Sequence, residues 1–399
     1  MTAEQGALFP PYAIEKSFTP HRPIELQDFL AGRIDLLRRA LQSLNTEGLH
    51  VVLFGERGVG KTSLAKVLAI IVQEPNRPDG MRSIYVTCDS STSFSAAWSL
   101  VVDEVGIKQR MAGFGRDPER AGSLVPERPI VSANDAKLFV RSLPNPTVIF
   151  FDEFDRVSPD TGTHRLMADA IKLFSDTGTP CKIVLIGVAE SIGELIREHE
   201  SITRHIAEIR VDTMAIDELA EIVKRGFAGA GMTFKSGVDR RIAELSQGYP
   251  HYTHLLSLWA GRNAIDQKRA EVTDQDIDAA IPKALENATG GVQQEYERAI
   301  GSSQPGAQYE EVLLACAISG KDSVGRFRAV DVRPPLQMIT KRPWETRGFQ
   351  SHLAKFCHAS HGPVLRRSGE RRNYQWQFIN PQLITYVKLA GVQRGEISG

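Results

Sequence analysis

The sequence contains no run of about eighteen or more apolar residues, so no membrane-spanning helix is predicted and no membrane partner is expected. Its first twenty residues, MTAEQGALFPPYAIEKSFTP, lack a basic stretch followed by an apolar one, and no secretory leader is expected. Cysteine is scarce. Cys88, Cys181, Cys316 and Cys357 are scattered without CxxC spacing, which argues against a zinc ribbon or a redox pair. They read as small apolar residues of a protein in the reducing cytoplasm. There is no internal repeat, and the formal net charge is zero. That balance hides an asymmetry. From Lys321 to the end there are fourteen Lys and Arg against five Asp and Glu. A basic terminal module on a mildly acidic body suggests a local nucleic-acid contact, with a merely solvated basic surface as the alternative.

What is present is enough chain for two or three domains, 399 residues with 42% hydrophobic and 24% charged. Residues 1–28 are punctuated by Pro10, Pro11, Pro20 and Pro23 and read as an extended segment. A helix is predicted over GRIDLLRRALQSLN (32–45). Short apolar runs then recur: HVVLFG (50–55), SIYVTC (83–88), TVIFFD (147–152), KIVLIGV (182–188) and AEIRV (207–211). Their nearly continuous apolarity marks strands buried on both faces, as in a parallel sheet. Helix-compatible segments lie between them, among them SANDAKLFVRSL, whose Ser132 and Asp135 form a capping-box pattern. This alternation predicts a doubly wound α/β domain over 29–213.

After Val211 the pattern changes. Residues 214–290 show no strand-like run and read as a small helical bundle. A polar link follows at about 290–307. Residues 305–392 offer three helical stretches and a hairpin made of GPVLRR and NYQWQFI, which is the order of a winged helix.

The chemistry concentrates in two motifs. GERGVGKT comprises Gly55, Glu56, Arg57, Gly58, Val59, Gly60, Lys61 and Thr62, with Ser63 next, between a predicted strand and a predicted helix. It matches G-x-x-x-x-G-K-[ST] in full. Its glycines let the backbone wrap and aim N–H groups at phosphate oxygens, and the following helix adds its positive end. Lys61 reaches the β- and γ-phosphates, and Thr62 supplies a hydroxyl to Mg²⁺. ATP or ADP with Mg²⁺ is the expected ligand. TVIFFDEFDRV is the second half: Asp152, at a strand end beside that loop, would hold the metal, and Glu153 would act as general base.

With these motifs in this strand order, the chain resembles the AAA+ and STAND-type P-loop ATPases. Among these it looks most like archaeal and origin-recognition initiators and transposition regulators. The resemblance covers roughly residues 25–390. It implies a sheet of order 5-1-4-3-2, a helical lid and a C-terminal winged helix. FLAGRIDLLRRAL is similar to the family's adenine-side box, so Leu30 to Arg33 would border the base. LIGVAES occupies the sensor-1 strand but offers Val188, Ala189 and Glu190 before Ser191, which implies a displaced or absent sensor and slow hydrolysis. Arg204 stands where the family places an arginine finger serving a neighbouring subunit, with Arg197 as the second choice and a plain surface arginine as the alternative. QGYPHYTHLL resembles the STAND GxP motif, which would put Pro250 and His251 at the nucleotide, or simply cap a lid helix. In the winged helix, Arg347, Lys355, Arg366, Arg367, Arg371 and Arg372 are the DNA-contact candidates, and the 106–129 insertion is a further contact or a surface loop. The resemblance implies a homo-oligomer, DNA as a partner, and a separate effector or partner protein. Its alternative is a STAND-like signalling switch, in antiviral defence for example, whose winged helix docks protein or autoinhibits.

Overall fold

The computed structural model describes residues 11–19, 33–73, 81–112, 128–189, 192–196, 200–288, 290–301, 306–322, 325–370 and 373–399. The chain divides into two compact units: Pro23–Thr213, the α/β unit, and Met1–Arg22 with Met214–Gly399, the helical unit.

The helical unit begins with α1 (Pro11–Ser17), a correction to the extended reading of residues 1–28. The prolines suggested a break, but Pro11 opens the helix, where a missing N–H costs nothing. Ile14 and Phe18, one turn apart, are each 1% exposed. Phe18 lies edge-on to Phe227 with ring centroids 4.9 Å apart. A Cβ on Gly226 would fall 2.2 Å from the Phe18 ring, and one on Gly261 2.7 Å from Ile14 Cδ1, so both glycines make room for the segment.

The α/β unit contains α2 (Ile34–Asn45), β1 (His50–Gly55), α3 (Lys61–Val72), β2 (Arg82–Thr87), α4 (Phe94–Ala112), α5 (Ala133–Ser142), β3 (Thr147–Asp152), α6 (Thr163–Asp176), β4 (Cys181–Val188), α7 (Ile192–Leu195) and β5 (Ile206–Arg210). The strands pair in parallel in the order β2-β3-β4-β1-β5. Read from the other edge, this is the expected 5-1-4-3-2. All six residues of β1 and of β3 are buried, as their unbroken apolar runs require when helices cover both faces. Each fully buried Val, Leu, Ile or Phe contributes about 1.5–3 kcal/mol. The predicted capping box is present: Ser132 Oγ accepts from the Asp135 N–H at 3.2 Å, and Asp135 Oδ2 accepts from the Ser132 N–H at 3.0 Å.

The helical unit continues with α8 (Ile216–Gly229), β6 (Thr233–Phe234), α9 (Val238–Ser246), α10 (Pro250–Asp266), β7 (Glu271–Val272), α11 (Asp274–Glu286), α12 (Gly290–Ile300), α13 (Tyr309–Ile318), β8 (Phe327–Arg328), α14 (Ala329–Thr340), α15 (Thr346–Lys355), β9 (Leu365–Ser368), β10 (Gln375–Phe378) and α16 (Gln382–Gln393). Strands β6 and β7 form a two-residue parallel pair where only helices were expected. The stretch read as a polar link holds α12, which buries Val292, Tyr296 and Ala299 at helical spacing. From α13 onward the unit is a winged helix. Its sheet has three strands rather than two, in the order β8-β10-β9, with antiparallel pairing. Helix α16 buries residues around its whole circumference, among them Leu383, Tyr386, Val387 and Leu389. Such a helix shows no amphipathic stripe, which is why the sequence did not mark it.

Among the described residues no helix is long and apolar enough to cross a membrane. Cys88, Cys181 and Cys316 are buried free thiols, and Cys357 is half-buried and free. Burial pushes the Cys88 thiol up to about 12, with Asp152 and Asp89 adding to the shift.

Candidate nucleotide site and basic surface

The loop between β1 and α3 turns on glycines in left-handed backbone: Gly58 has φ 82° and Gly60 φ 96°. Gly55, with φ 149°, is excluded from substitution by space as well, because a Cβ there would stand 2.2 Å from the Val211 carbonyl oxygen. Val59 tucks into the core at 1% exposure, while Glu56 and Arg57 face solvent and Ser63 is half-buried. Arg33, 6% exposed, donates from Nη2 to the Val59 carbonyl at 3.1 Å and to the Asp212 carbonyl at 2.6 Å. It therefore ties the phosphate loop to the segment just beyond β5. Leu30, its expected companion, lies outside the described residues.

Lys61 opens α3 and is 7% exposed. Its Nζ donates to the Gly55 carbonyl at 3.0 Å and to the Glu56 carbonyl at 2.6 Å, so the ammonium is folded back over the loop. Burial lowers its pKa to about 8, against the opposing pull of the Asp155, Asp152 and Glu56 carboxylates. Thr62 places Oγ1 3.3 Å from Asp152 Oδ1. That carboxylate, 4% exposed at the end of β3, is held on both oxygens: Oδ1 also accepts the Glu153 N–H at 2.8 Å, and Oδ2 accepts the Tyr85 hydroxyl at 2.6 Å. Two hard oxygens, a hydroxyl and a carboxylate, thus stand together near the Lys61 ammonium. This donor set fits Mg²⁺, which prefers one or two protein oxygens supplemented by phosphate and water.

Glu153 follows in left-handed backbone, φ 54°, a conformation uncommon for a non-glycine residue. Its carboxylate is half-exposed and pairs with Arg156 at 2.6 Å. Asp155 Oδ1 accepts the N–H of Val188 at 2.9 Å. The tip of β4, expected to lack a sensor side chain, carries Val188 at 42% exposure, with its backbone capped by Asp155. Glu190 and Ser191 lie outside the described residues. Arg204 is exposed in the 3₁₀ turn Glu200–His205 that leads into β5, with Nε 3.0 Å from His205 Nε2. Arg197 lies outside the described residues.

Tyr85 and Asp155 are the site residues that sequence reasoning missed. Asp155 was legible as the last carboxylate of DEFD. Tyr85 becomes visible only once β2 and β3 are in register, with Thr87 opposite Asp152 and Tyr85 opposite Phe150.

Pro250 and His251 belong to the helical unit. Gly248 has φ 86°, Pro250 opens α10 and is buried, and the His251 ring lies edge-on to Tyr252 at 5.5 Å. Of the winged-helix residues, Arg347 is exposed on α15. Lys355 directs its amine to the Tyr309 hydroxyl at 2.5 Å and lies 5.3 Å from that ring, so part of its charge serves the module's own packing. Arg366 and Arg367 are exposed on β9. Arg366 donates to Gln377 at 3.1 Å, and Arg367 stacks over Tyr374 at 4.4 Å. Arg371 and Arg372 lie outside the described residues, as does most of the 106–129 insertion. Arg326, just before β8, and Arg328, its last residue, which pairs with Asp331 at 3.3 Å, are also exposed at the same three-stranded sheet.

Residues 31–183 match the family model described as AAA ATPase domain. No curated protein matches the chain. Among solved structures, the Walker-type ATPase PABY2304 of Pyrococcus abyssi is 19% identical with a TM-score of 0.56, over 92% of this chain and 99% of that one. The ORC2 protein of Aeropyrum pernix, solved as ADPNP–ADP complexes, is 14% identical with a TM-score of 0.50, over 96% and 98%. The ORC1 protein of Aeropyrum pernix, solved in complex with DNA, is 15% identical with a TM-score of 0.50, over 94% and 96%. At these identities the likeness is one of fold, and it spans nearly the whole chain.

Proposed function

We propose that this chain, which carries an AAA ATPase domain at residues 31–183, binds and hydrolyses Mg·ATP and uses the nucleotide state to govern assembly on DNA or on a partner protein. The observation that carries the nucleotide reading is the joint placement of Lys61, Thr62, Asp152 and Glu153 at one end of β1 and β3. Lys61 exchanges its two loop carbonyls for phosphate oxygens. Thr62 and Asp152 would hold Mg²⁺, and the ion would supply neutralisation of phosphate charge there. Glu153 accepts the proton of the attacking water once its carboxylate leaves Arg156. Arg204, exposed before β5, is the candidate that a neighbouring subunit's nucleotide would use. Val188 brings no polar group to the site, in keeping with slow turnover.

The DNA reading is supported by the exposed arginines of the winged helix and by the fold shared with a protein solved on DNA. Phosphate contacts of this kind weaken steeply with salt. Two measurements test the proposal. Steady-state ATPase assays should show turnover in the wild type that falls at least about a hundredfold in Glu153→Gln, as removal of a general base requires. Mass photometry with ADP, ATP and ATP plus duplex should show larger assemblies only with ATP, and DNA binding should be weakened in Arg366→Ala/Arg367→Ala. Equal turnover in wild type and Glu153→Gln contradicts the enzymatic half; duplex binding unchanged by the arginine substitutions contradicts the role given to the wing.

A further inference from the structure

Tyr85 stands diagonally across the β2–β3 pair from Asp152, on the same face of the sheet and beneath α3. Its ring stacks on Phe150 with centroids 5.7 Å apart and planes 18° from parallel. Lys66, one helical turn beyond Thr62, brings its amine to 5.7 Å from the ring's centre. The ring is thus fixed from the sheet below and the helix above, and its hydroxyl has one evident duty, the 2.6 Å bond to Asp152 Oδ2. Oδ1 faces Thr62 Oγ1 and also accepts the Glu153 N–H at 2.8 Å; it is the oxygen that shares the hydroxyl's side of the carboxylate and so the one placed to meet a cation with it. A carboxylate's terminal torsion is soft, with a broad two-fold preference, so an Asp held only through Oδ1 would swing.

We propose that Tyr85 is a positioning residue for the divalent cation: by binding Oδ2 it sets the rotation of the Asp152 carboxylate so that Oδ1 and the Thr62 hydroxyl meet one ion. The inference rests on the Mg·ATP reading and gives Tyr85 a part in cation affinity, apart from nucleotide affinity as such. Partners that orient a metal ligand from behind typically change metal affinity by about 10- to 100-fold. Tyr85→Phe keeps the ring, its stacking on Phe150 and its contact with Lys66, and deletes the hydroxyl alone.

The test uses equilibrium binding of a fluorescent ADP to the full chain, titrated with Mg²⁺ and repeated in EDTA. In EDTA, wild type and Tyr85→Phe should bind alike. In Mg²⁺, Tyr85→Phe should need at least about tenfold more cation to reach half its tightened affinity. In an Asp152→Asn background the same substitution should add little, because the two residues act as one unit. An unchanged Mg²⁺ midpoint overturns the proposal. So does an equal loss of affinity in EDTA and Mg²⁺, since that pattern is damage to the fold, and so does a full tenfold penalty in the Asp152→Asn background. A wild type that binds ADP in EDTA but shows no Mg²⁺ effect overturns the cation site with Tyr85; a wild type that binds no ADP overturns the nucleotide reading itself.

Discussion

Acid should weaken the α/β unit through one residue, His50. It opens β1, is 1% exposed, and accepts the Ile183 N–H on Nδ1 at 2.8 Å. The ring is therefore neutral, with its proton on Nε2. Burial, with smaller contributions from Lys182 and His205, lowers its pKa from 6.5 to about 3. Because the folded value lies below the unfolded one, the unfolded chain takes up the proton first. Stability is then complete above pH 6.5 and is lost as pH falls from 6.5 toward 3. At 1.36 kcal/mol per unit, the whole interval is worth about 5 kcal/mol, of which about 2 kcal/mol is gone by pH 5. Asn at position 50 can offer an amide oxygen to the Ile183 N–H without titrating. Urea denaturation at pH 7 and pH 5 should be read by pulsed deuterium uptake of the 50–55 peptide at a common pH, which reports on this unit alone. The wild type should lose about 2 kcal/mol more than His50→Asn between the two conditions. His254, which burial lowers to about 4, sits in the helical unit and is common to both proteins, so it cancels. Equal pH dependence in wild type and variant refutes the argument.

Gly55→Ala should abolish nucleotide binding while leaving the helical unit intact, because its Cβ meets the Val211 carbonyl at 2.2 Å; fluorescent-ADP titration checks the first part and deuterium uptake of α10 the second. Phe18→Ala should destabilise the helical unit by about 3–5 kcal/mol, a cost measurable by denaturation, since the ring fills the space left by Gly226 against Phe227. Arg33→Ala should loosen the phosphate loop by leaving the Val59 and Asp212 carbonyls without this donor; faster deuterium uptake across residues 55–60 and weaker ADP binding are the expected readouts.

The sheet was legible because its central strands are covered on both faces. Val51 to Phe54 and Val148 to Phe151 leave no polar position to blur the signal, and the phosphate loop fixes the direction of the chain between them. The same physics explains what was missed. A residue that acts across a strand pair, as Tyr85 acts on Asp152, has no local signature, because register is a tertiary property. Helix α16 was hidden by burial on every side, and α12 by the polar residues around Val292 and Tyr296. Pro10 and Pro11 suggest a break in the sequence, although proline also starts helices; the burial of Ile14 and Phe18 within the helical unit holds α1 in place. Asp155 was overlooked because Asp152 and Glu153 already completed the expected chemistry, whereas its bond to the Val188 N–H needs β4 beside it.

The central claim is that the loop Gly55–Thr62 holds the phosphates of ATP through Lys61. Isothermal titration of wild type and Lys61→Ala with ATP in Mg²⁺ tests it most directly. The account predicts one nucleotide per wild-type chain and at least about a tenfold loss of affinity, about 1.4 kcal/mol or more, when the ammonium is removed. Equal binding by the two proteins, or none by the wild type, would contradict it.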